Sequence, residues 1–116
     1  MTPEQFVGVL KADVREGSES DVKYIASPSQ DPPEHLVRFS GFYLRLSPSD
    51  RKVARDLIQY AAEGSLFRLL TYLDNIASPT DEEGTLELWH VGRRGKRTLL
   101  NDPDGDLLSE LFNNLP

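Results

Sequence analysis

The segment Ser65–Ala77 constrains the fold most, because apolar residues occur on nearly every side of it when it is placed on a helix. Only a narrow polar seam remains, to which Asp74 belongs. A helix that is apolar over most of its circumference has to be covered by neighbours on several sides. The sequence therefore predicts a buried central helix here. We expect Gly64 to end the preceding helix, with Ser65 capping the central one after a sharp corner.

Capping sequences mark the starts of other helices. Thr2 can cap a helix whose first position is Pro3, and Gln5 can return the hydrogen bond of a capping box. Residues 47–50, Ser-Pro-Ser-Asp, form a similar start for the helix that precedes the central one. Asp106 can cap a C-terminal helix with an apolar stripe. These signals predict about five helices in all.

Two segments allow alternatives. The apolar stripe of residues 3–26 stays in phase through Gly17, which favours one long helix over two helices separated there. Gly17 would cost that helix about 1 kcal/mol relative to alanine, but would permit close approach of another helix. Residues 35–46 show both strand-like alternation and helical spacing. The prolines at 32–33, with Asp31 as a cap, and the scarcity of β-branched residues favour a helix.

A β-hairpin follows the central helix. Residues 85–91 and 96–100 have strand patterns and flank a glycine-containing turn at 92–95. An isolated hairpin is marginal in water, so one face should pack on the helices. The predicted fold is mainly α (α+β), with about five helices around a buried central helix and one two-stranded β-hairpin, in a single globular domain over 1–116. The predicted core residues are Leu10, Val14, Leu57, Ile58, Leu66, Leu69, Leu70, Leu73, Leu88 and Leu111.

The charge balance and the missing cysteines limit the function classes. The net charge is −6 and the isoelectric point is about 4.8, which disfavours nucleic-acid binding because phosphate contacts need clustered Lys and Arg. Without cysteine the chain has no disulfide and no thiolate metal site, which suits a reducing compartment. No signal-peptide pattern and no run of roughly 20 apolar residues is visible. We expect a cytoplasmic protein without a membrane partner.

The sequence contains no pattern for catalysis, cofactor binding or metal binding. Three aspartates around Gly105 resemble a calcium loop, but its first and last ligand positions fall on Leu100 and Leu111, which cannot bind the ion. A turn followed by a helix cap explains these aspartates better. His35 and His90 are far apart and have no metal-ligand spacing. We therefore predict no catalytic residue, no cofactor and no metal ion.

Two charged clusters are candidate protein-binding sites. Asp81, Glu82 and Glu83 lie in an acidic loop, and Arg93 and Arg94 lie at the hairpin turn. The favoured hypothesis is a non-catalytic acidic domain that binds another protein. A bacterial immunity-type protein, which would mask a basic toxin surface by charge complementarity, is one concrete form.

Two alternative functions start from other residues. The first is a small enzyme or small-molecule binder with a polar pocket where Asp74, an arginine and a tyrosine such as Tyr43 or Tyr72 converge. In the simpler interpretation, Asp74 pairs with a neighbouring arginine, such as Arg38, Arg45 or Arg55, or reaches water. The second alternative is a nucleic-acid binder that uses the basic turn at 93–97, which the net charge disfavours.

Several segments resemble a family of small bacterial proteins of unassigned function. They are residues 46–74, which contain the capped start at 47–50 and the Gly64-Ser65 pair, and residues 86–88 and 99–105. The resemblance implies no activity, cofactor or functional residue.

Overall fold

The computed structural model describes residues 1–78 and 80–116, and Pro79 of the acidic loop lies outside the described residues. The described residues form four α-helices and one two-stranded antiparallel sheet, so the predicted mainly helical class with a hairpin is confirmed. In chain order the elements are α1 (Pro3–Ala26), α2 (Glu34–Arg45), α3 (Pro48–Leu73), β1 (Trp89–Val91), β2 (Arg97–Leu99) and α4 (Leu108–Asn114).

The chain divides into two compact units. The first unit consists of Met1–Ala12 and Gly64–Pro116, and the second consists of Asp13–Glu63. Helices α1 and α3 each contribute residues to both units. A single domain over 1–116 stays a prediction.

Helix α1 begins with the capping box that the sequence predicts. The Thr2 amide donates to Gln5 Oε1 at 2.9 Å, and the Gln5 amide donates to Thr2 Oγ1 at 3.1 Å. The helix continues through Gly17 to Ala26, which confirms the favoured single helix. A Cβ added at Gly17 would have no described atom within 4 Å, apart from the adjacent residues and the nearby backbone of its own helix. Gly17 thus leaves room for a close approach that no described neighbour makes.

Residues 35–46, whose sequence allowed a strand or a helix, lie almost entirely in helix α2, which confirms the favoured interpretation. Its N-cap is Pro33, and no side chain caps it. The predicted cap, Asp31, lies two residues earlier with φ 53°. That prediction is wrong because the helical conformation is disfavoured for a residue before proline, here Pro32 before Pro33. The helix therefore begins after Pro33, too far along the chain for Asp31 to be its N-cap.

Helix α3 runs unbroken where the sequence predicted two helices. Its start is as expected, since the Asp50 amide donates to Ser47 Oγ at 3.2 Å. The predicted corner at Gly64 is wrong, because a helical glycine costs only about 1 kcal/mol relative to alanine, and the apolar periodicity continues on both sides of it. The helix ends at Leu73 rather than at Ala77.

A Schellman motif ends α3. Asn75 has the left-handed φ of 60°, which asparagine tolerates better than most residues. Its amide donates to the Tyr72 carbonyl at 3.0 Å, and the Ile76 amide donates to the Thr71 carbonyl at 3.2 Å. These two bonds satisfy carbonyl groups at the helix end and turn the chain away from the helix axis.

The predicted central helix is buried along one stripe and not all round. Leu66 and Leu70, one turn apart, are buried, whereas Leu69 is 51% exposed and Ile76 is 62% exposed. Leu69 lies about 100° around the helix from Leu70, so a neighbour that covers one leaves the other open. Leu57, also predicted to be buried, is 62% exposed. The buried apolar residues of the first unit are Val7, Leu66, Leu70, Leu100, Leu108 and Phe112.

The hairpin is confirmed, with three-residue strands that are shorter than predicted. Trp89 is opposite Leu99 in the antiparallel register. The turn closes through a hydrogen bond from the Gly92 amide to the Lys96 carbonyl at 2.8 Å, and Gly95 supplies a φ of 76°. Such a φ favours glycine, which explains its place in the turn.

Candidate functional site

Asp74 caps helix α4. Its Oδ1 accepts a hydrogen bond from the Leu108 amide at 2.7 Å, and its Oδ2 accepts from the Ser109 amide at 2.9 Å and from Ser109 Oγ at 2.7 Å. Amides at a helix start have no partner within the helix, so this carboxylate satisfies them. Two expectations are therefore wrong: the partner of Asp74 is not an arginine, and Asp106 is not the cap, because it precedes the N-cap residue Leu107.

A small cavity of about 160 Å³ lies beside Asp74. Its walls include the polar side chains of Glu87, Asn101 and Asp102. The enzyme hypothesis requires an arginine and a tyrosine to converge here, and neither residue type is among the described lining residues. Because both oxygens of Asp74 are already bonded to α4, the geometry gives this hypothesis no support.

Asn101 is a buried connector that the sequence analysis missed. Its Nδ2 donates to the carbonyls of Leu73 and Leu86, and its Oδ1 accepts from the Leu88 amide at 2.8 Å. One side chain thus joins the end of α3 to the segment before β1. The sequence indicated only a turn at Asn101, because a turn motif does not reveal that its side chain reaches a residue 28 positions earlier.

The predicted acidic loop lines a cleft. Asp81, Glu82 and Glu83 are all exposed. Glu82 and Glu83 face a cleft of about 370 Å³ whose other walls include Tyr72 and Ile76. Among the described residues, no ion pair neutralises these three carboxylates. We call the space lined by Tyr72, Ile76, Glu82 and Glu83 the acidic cleft.

Asn75 closes the base of the loop that carries the acidic cleft. Its Oδ1 accepts from the Leu86 amide at 2.8 Å, and its Nδ2 donates to the Leu86 carbonyl at 3.2 Å. The side chain thereby bonds both backbone groups of one residue, as a neighbouring strand would. These bonds hold the two ends of the loop together, and both Asn75 and Leu86 line the cleft.

The second predicted cluster, Arg93 and Arg94, is exposed at the hairpin turn. The guanidinium carbon of Arg97 lies 4.9 Å from the centre of the Trp89 ring, and Trp89 Nε1 donates to Glu87 Oε2 at 2.9 Å. The Trp89 ring near the basic turn is therefore already in contact with Arg97 and Glu87, which leaves less of it free to stack on a base. Nucleic-acid binding stays a prediction without support from this geometry.

The second unit contains an apolar groove that the sequence analysis missed. Its volume is about 360 Å³, and Phe42 and Leu57 at its edge are 57% and 62% exposed. The signal for it lies in the sequence of α2, whose apolar residues occur on nearly all sides, so that one neighbouring element cannot cover them all. The lining residues are Ile25, Phe39, Phe42, Tyr43, Ala54, Leu57 and Ile58. We call this surface the apolar groove.

The aspartates near Gly105 form a turn, in which the Asp104 amide donates to Asp102 Oδ1 at 2.9 Å. Over residues 1–78 and 80–116, no three histidines or carboxylates are placed to hold a metal ion. None of the described helices has the length and apolar composition needed to cross a bilayer. Comparison of the chain with protein-family models, curated proteins and solved structures found no match.

Proposed function

We propose that this protein is a non-catalytic protein-binding domain whose contact site is the acidic cleft. The observation that supports the proposal most is the position of two unneutralised carboxylates, Glu82 and Glu83, beside Tyr72 and Ile76 in a cleft of about 370 Å³. A lysine or arginine of a partner would place its cation at the carboxylates. Its apolar stem would lie against the tyrosine ring and the isoleucine side chain.

The charge distribution favours a basic partner. The first unit carries ten acidic and six basic residues, so four of the six excess negative charges lie in the unit that contains the cleft. A negative surface raises the rate at which a positive partner is captured and opposes binding of acidic proteins. Within the proposal, the partner is therefore a basic protein.

One concrete form of the proposal is an immunity-type bacterial protein that masks a basic surface of a toxin. Masking needs shape and charge complementarity and no catalytic group. The proposal also places the protein in the cytoplasm, which the absence of cysteine suits.

Affinity capture at low salt tests the proposal. We expect the wild-type chain to retain a basic protein and the Glu82→Ala/Glu83→Ala variant to lose it, because the variant removes the attracting charges of the cleft. Raising the salt to about 1 M, where the Debye length falls to about 3 Å, should release the partner.

The matched control is Asp13→Ala/Glu16→Ala, which removes the same number of charges from exposed positions in the second unit. This control should retain the partner as the wild type does. Capture of no basic protein at low salt, or equal capture by the cleft variant, would contradict the proposal.

A further inference from the structure

The second unit buries few of its apolar side chains. Within residues 13–63, all of which the structure describes, Val22 and Tyr43 are the buried apolar residues, whereas the first unit buries six. A unit of this size is marginal when it relies on its own core, because small units bury a smaller fraction of their surface. Permanent cover over its remaining apolar surface would therefore stabilise it.

The apolar groove opens into this small core. Buried Tyr43 lines it together with partly buried Ile25 and Ile58. The hydroxyl of Tyr43 is the one polar side-chain atom among the described lining residues, and it already accepts a hydrogen bond from Arg55 Nη1 at 3.0 Å. The groove thus favours an apolar occupant, because no unbonded polar side chain is present to hold a hydrated one.

Two exposed helix stripes, each with one residue that lines the groove, have matching character. Residues three, four or seven apart share one face of a helix. Each stripe has an apolar centre, but the stripe on α2 carries cations at both ends, while the stripe on α3 begins with a carboxylate. The stripes are Arg38, Phe42 and Arg45 on α2, and Asp50, Val53 and Leu57 on α3.

We infer that a second copy of this chain covers the apolar groove in a two-fold symmetric dimer. Symmetry makes each contact occur twice, so the α2 stripe of each copy faces the α3 stripe of its partner. Phe42 of one copy then enters the groove of the other beside Leu57. The arginines approach the carboxylate of Asp50 across the interface, so the same contact joins apolar surfaces and opposite charges.

The exposed apolar area of five residues on α2 and α3 supplies most of what a dimer needs. Phe39, Phe42 and Tyr60 are 46%, 57% and 78% exposed, and Val53 and Leu57 are 57% and 62% exposed. Together they offer roughly 400 Å² of apolar surface per copy. A standard interface buries about 800 Å² per partner, of which about 500 Å² is apolar in homodimers. A second copy of the chain is also present wherever the chain is made, so it is always available to cover the apolar groove.

Sedimentation equilibrium over a wide range of protein concentrations tests the inference. We expect a mass of twice 13.1 kDa at high concentration and dissociation on dilution. Leu57→Glu and Phe42→Glu should each weaken association at least about tenfold, because each places a carboxylate in an apolar contact. Both side chains are more than half exposed in one copy, so the fold should persist, and circular dichroism checks this. The control Val9→Glu, at a 61% exposed position of the first unit, should leave the dimer intact.

Exchanged charges test the pairing of the stripes. Arg38→Asp/Arg45→Asp should weaken self-association, and so should Asp50→Arg, because each places like charges across the two-fold axis. A mixture of the two variants should restore association, since each half of the heterodimer again pairs opposite charges. A mixture that associates no better than either variant alone would overturn this arrangement.

A wild-type chain that remains monomeric at every concentration would overturn the inference and leave the groove to another protein. A dimer that neither Leu57→Glu nor Phe42→Glu weakens would overturn it as well, because the interface would then lie elsewhere. The inference is separate from the acidic cleft, so either can fail without the other.

Discussion

Lys11 and Asp74 bind opposite ends of the short helix α4. Lys11 Nζ donates to the carbonyl of Phe112 at 2.8 Å and to that of Leu115 at 3.0 Å, while the Asp74 carboxylate accepts the amides at the helix start. The charges suit the helix dipole, which is positive at the N-terminus and negative at the C-terminus. A helix of seven residues is marginal alone. These two side chains therefore help to define where α4 begins and ends.

Replacing Asp74 by alanine should lower the free energy of unfolding by about 1–2 kcal/mol, because the amides at the start of α4 lose their cap. Urea unfolding measures this change. Asp106→Ala is the matched control, since Asp106 is the exposed carboxylate that the local sequence pattern favoured as the cap. Its substitution should change stability by less than about 0.5 kcal/mol. Equal losses in the two variants would show that Asp74 is not the cap.

Replacing Lys11 by methionine should destabilise the protein by about 1–3 kcal/mol. The variant keeps an apolar stem but removes the ammonium from both carbonyls, so that the Phe112 carbonyl keeps only the 3.4 Å bond from the Leu115 amide. Lys11 is only 8% exposed, and its ammonium lies 4.2 Å from the centre of the Phe112 ring, so water cannot easily replace it. Thermal unfolding of Lys11→Met and of the exposed control Lys23→Met gives the comparison. The prediction is wrong if both variants unfold at the wild-type temperature.

Replacing Asn101 by aspartate should cost about 2–4 kcal/mol, although the two side chains have the same shape. The carboxylate keeps the acceptor for the Leu88 amide but cannot donate to the carbonyls of Leu73 and Leu86, and it places a charge against them. Chemical unfolding measures the loss. Asn113→Asp makes the same substitution at an exposed position in the last turn of α4 and should cost less than about 1 kcal/mol, the size of an unfavourable interaction with the helix dipole. Similar stability of the two variants would remove the connecting role assigned to Asn101.

Replacing Gly17 by alanine should stabilise the protein by about 0.5–1 kcal/mol. The position is helical and exposed, and no described neighbour approaches within 4 Å of the added carbon, so the substitution mainly lowers the entropy of the unfolded chain. Gly95→Ala should have the opposite sign, because its φ of 76° is strained for alanine. Unfolding midpoints of the two variants test both signs. A loss of stability in Gly17→Ala would indicate a packing role for this glycine.

Features that depend only on residues close together in the sequence could be predicted. The capping box of Thr2 and Gln5 and the glycine turn at 92–95 each form within five residues, so the local sequence contains all the atoms that they need. The corner expected at Gly64 failed because glycine permits a helix end without requiring one. Whether α3 continues there depends on the packing of residues on both sides of it.

The candidate sites show the same division. The charges of the acidic loop are visible in the sequence. The cleft forms only because Tyr72, at the end of α3, and Asn75, just after it, lie against that loop in the folded chain. The apolar groove combines residues of three helices, and the exposure of Leu57 contradicts its pattern-based place in the core. Periodicity identifies an apolar face of a helix, but it does not say whether another element covers that face.

The sequence by itself determined where α1 and α3 begin and where the hairpin turns, because hydrogen bonds and periodicity within a few residues set those features. The tertiary structure alone decided how α4 is capped and which apolar stripes are buried. The Lys11 contact with Phe112 joins residues 101 positions apart, and the Asp74 contact with Leu108 joins residues 34 positions apart. Contacts of that separation depend on how the whole chain packs, and no local pattern specifies them.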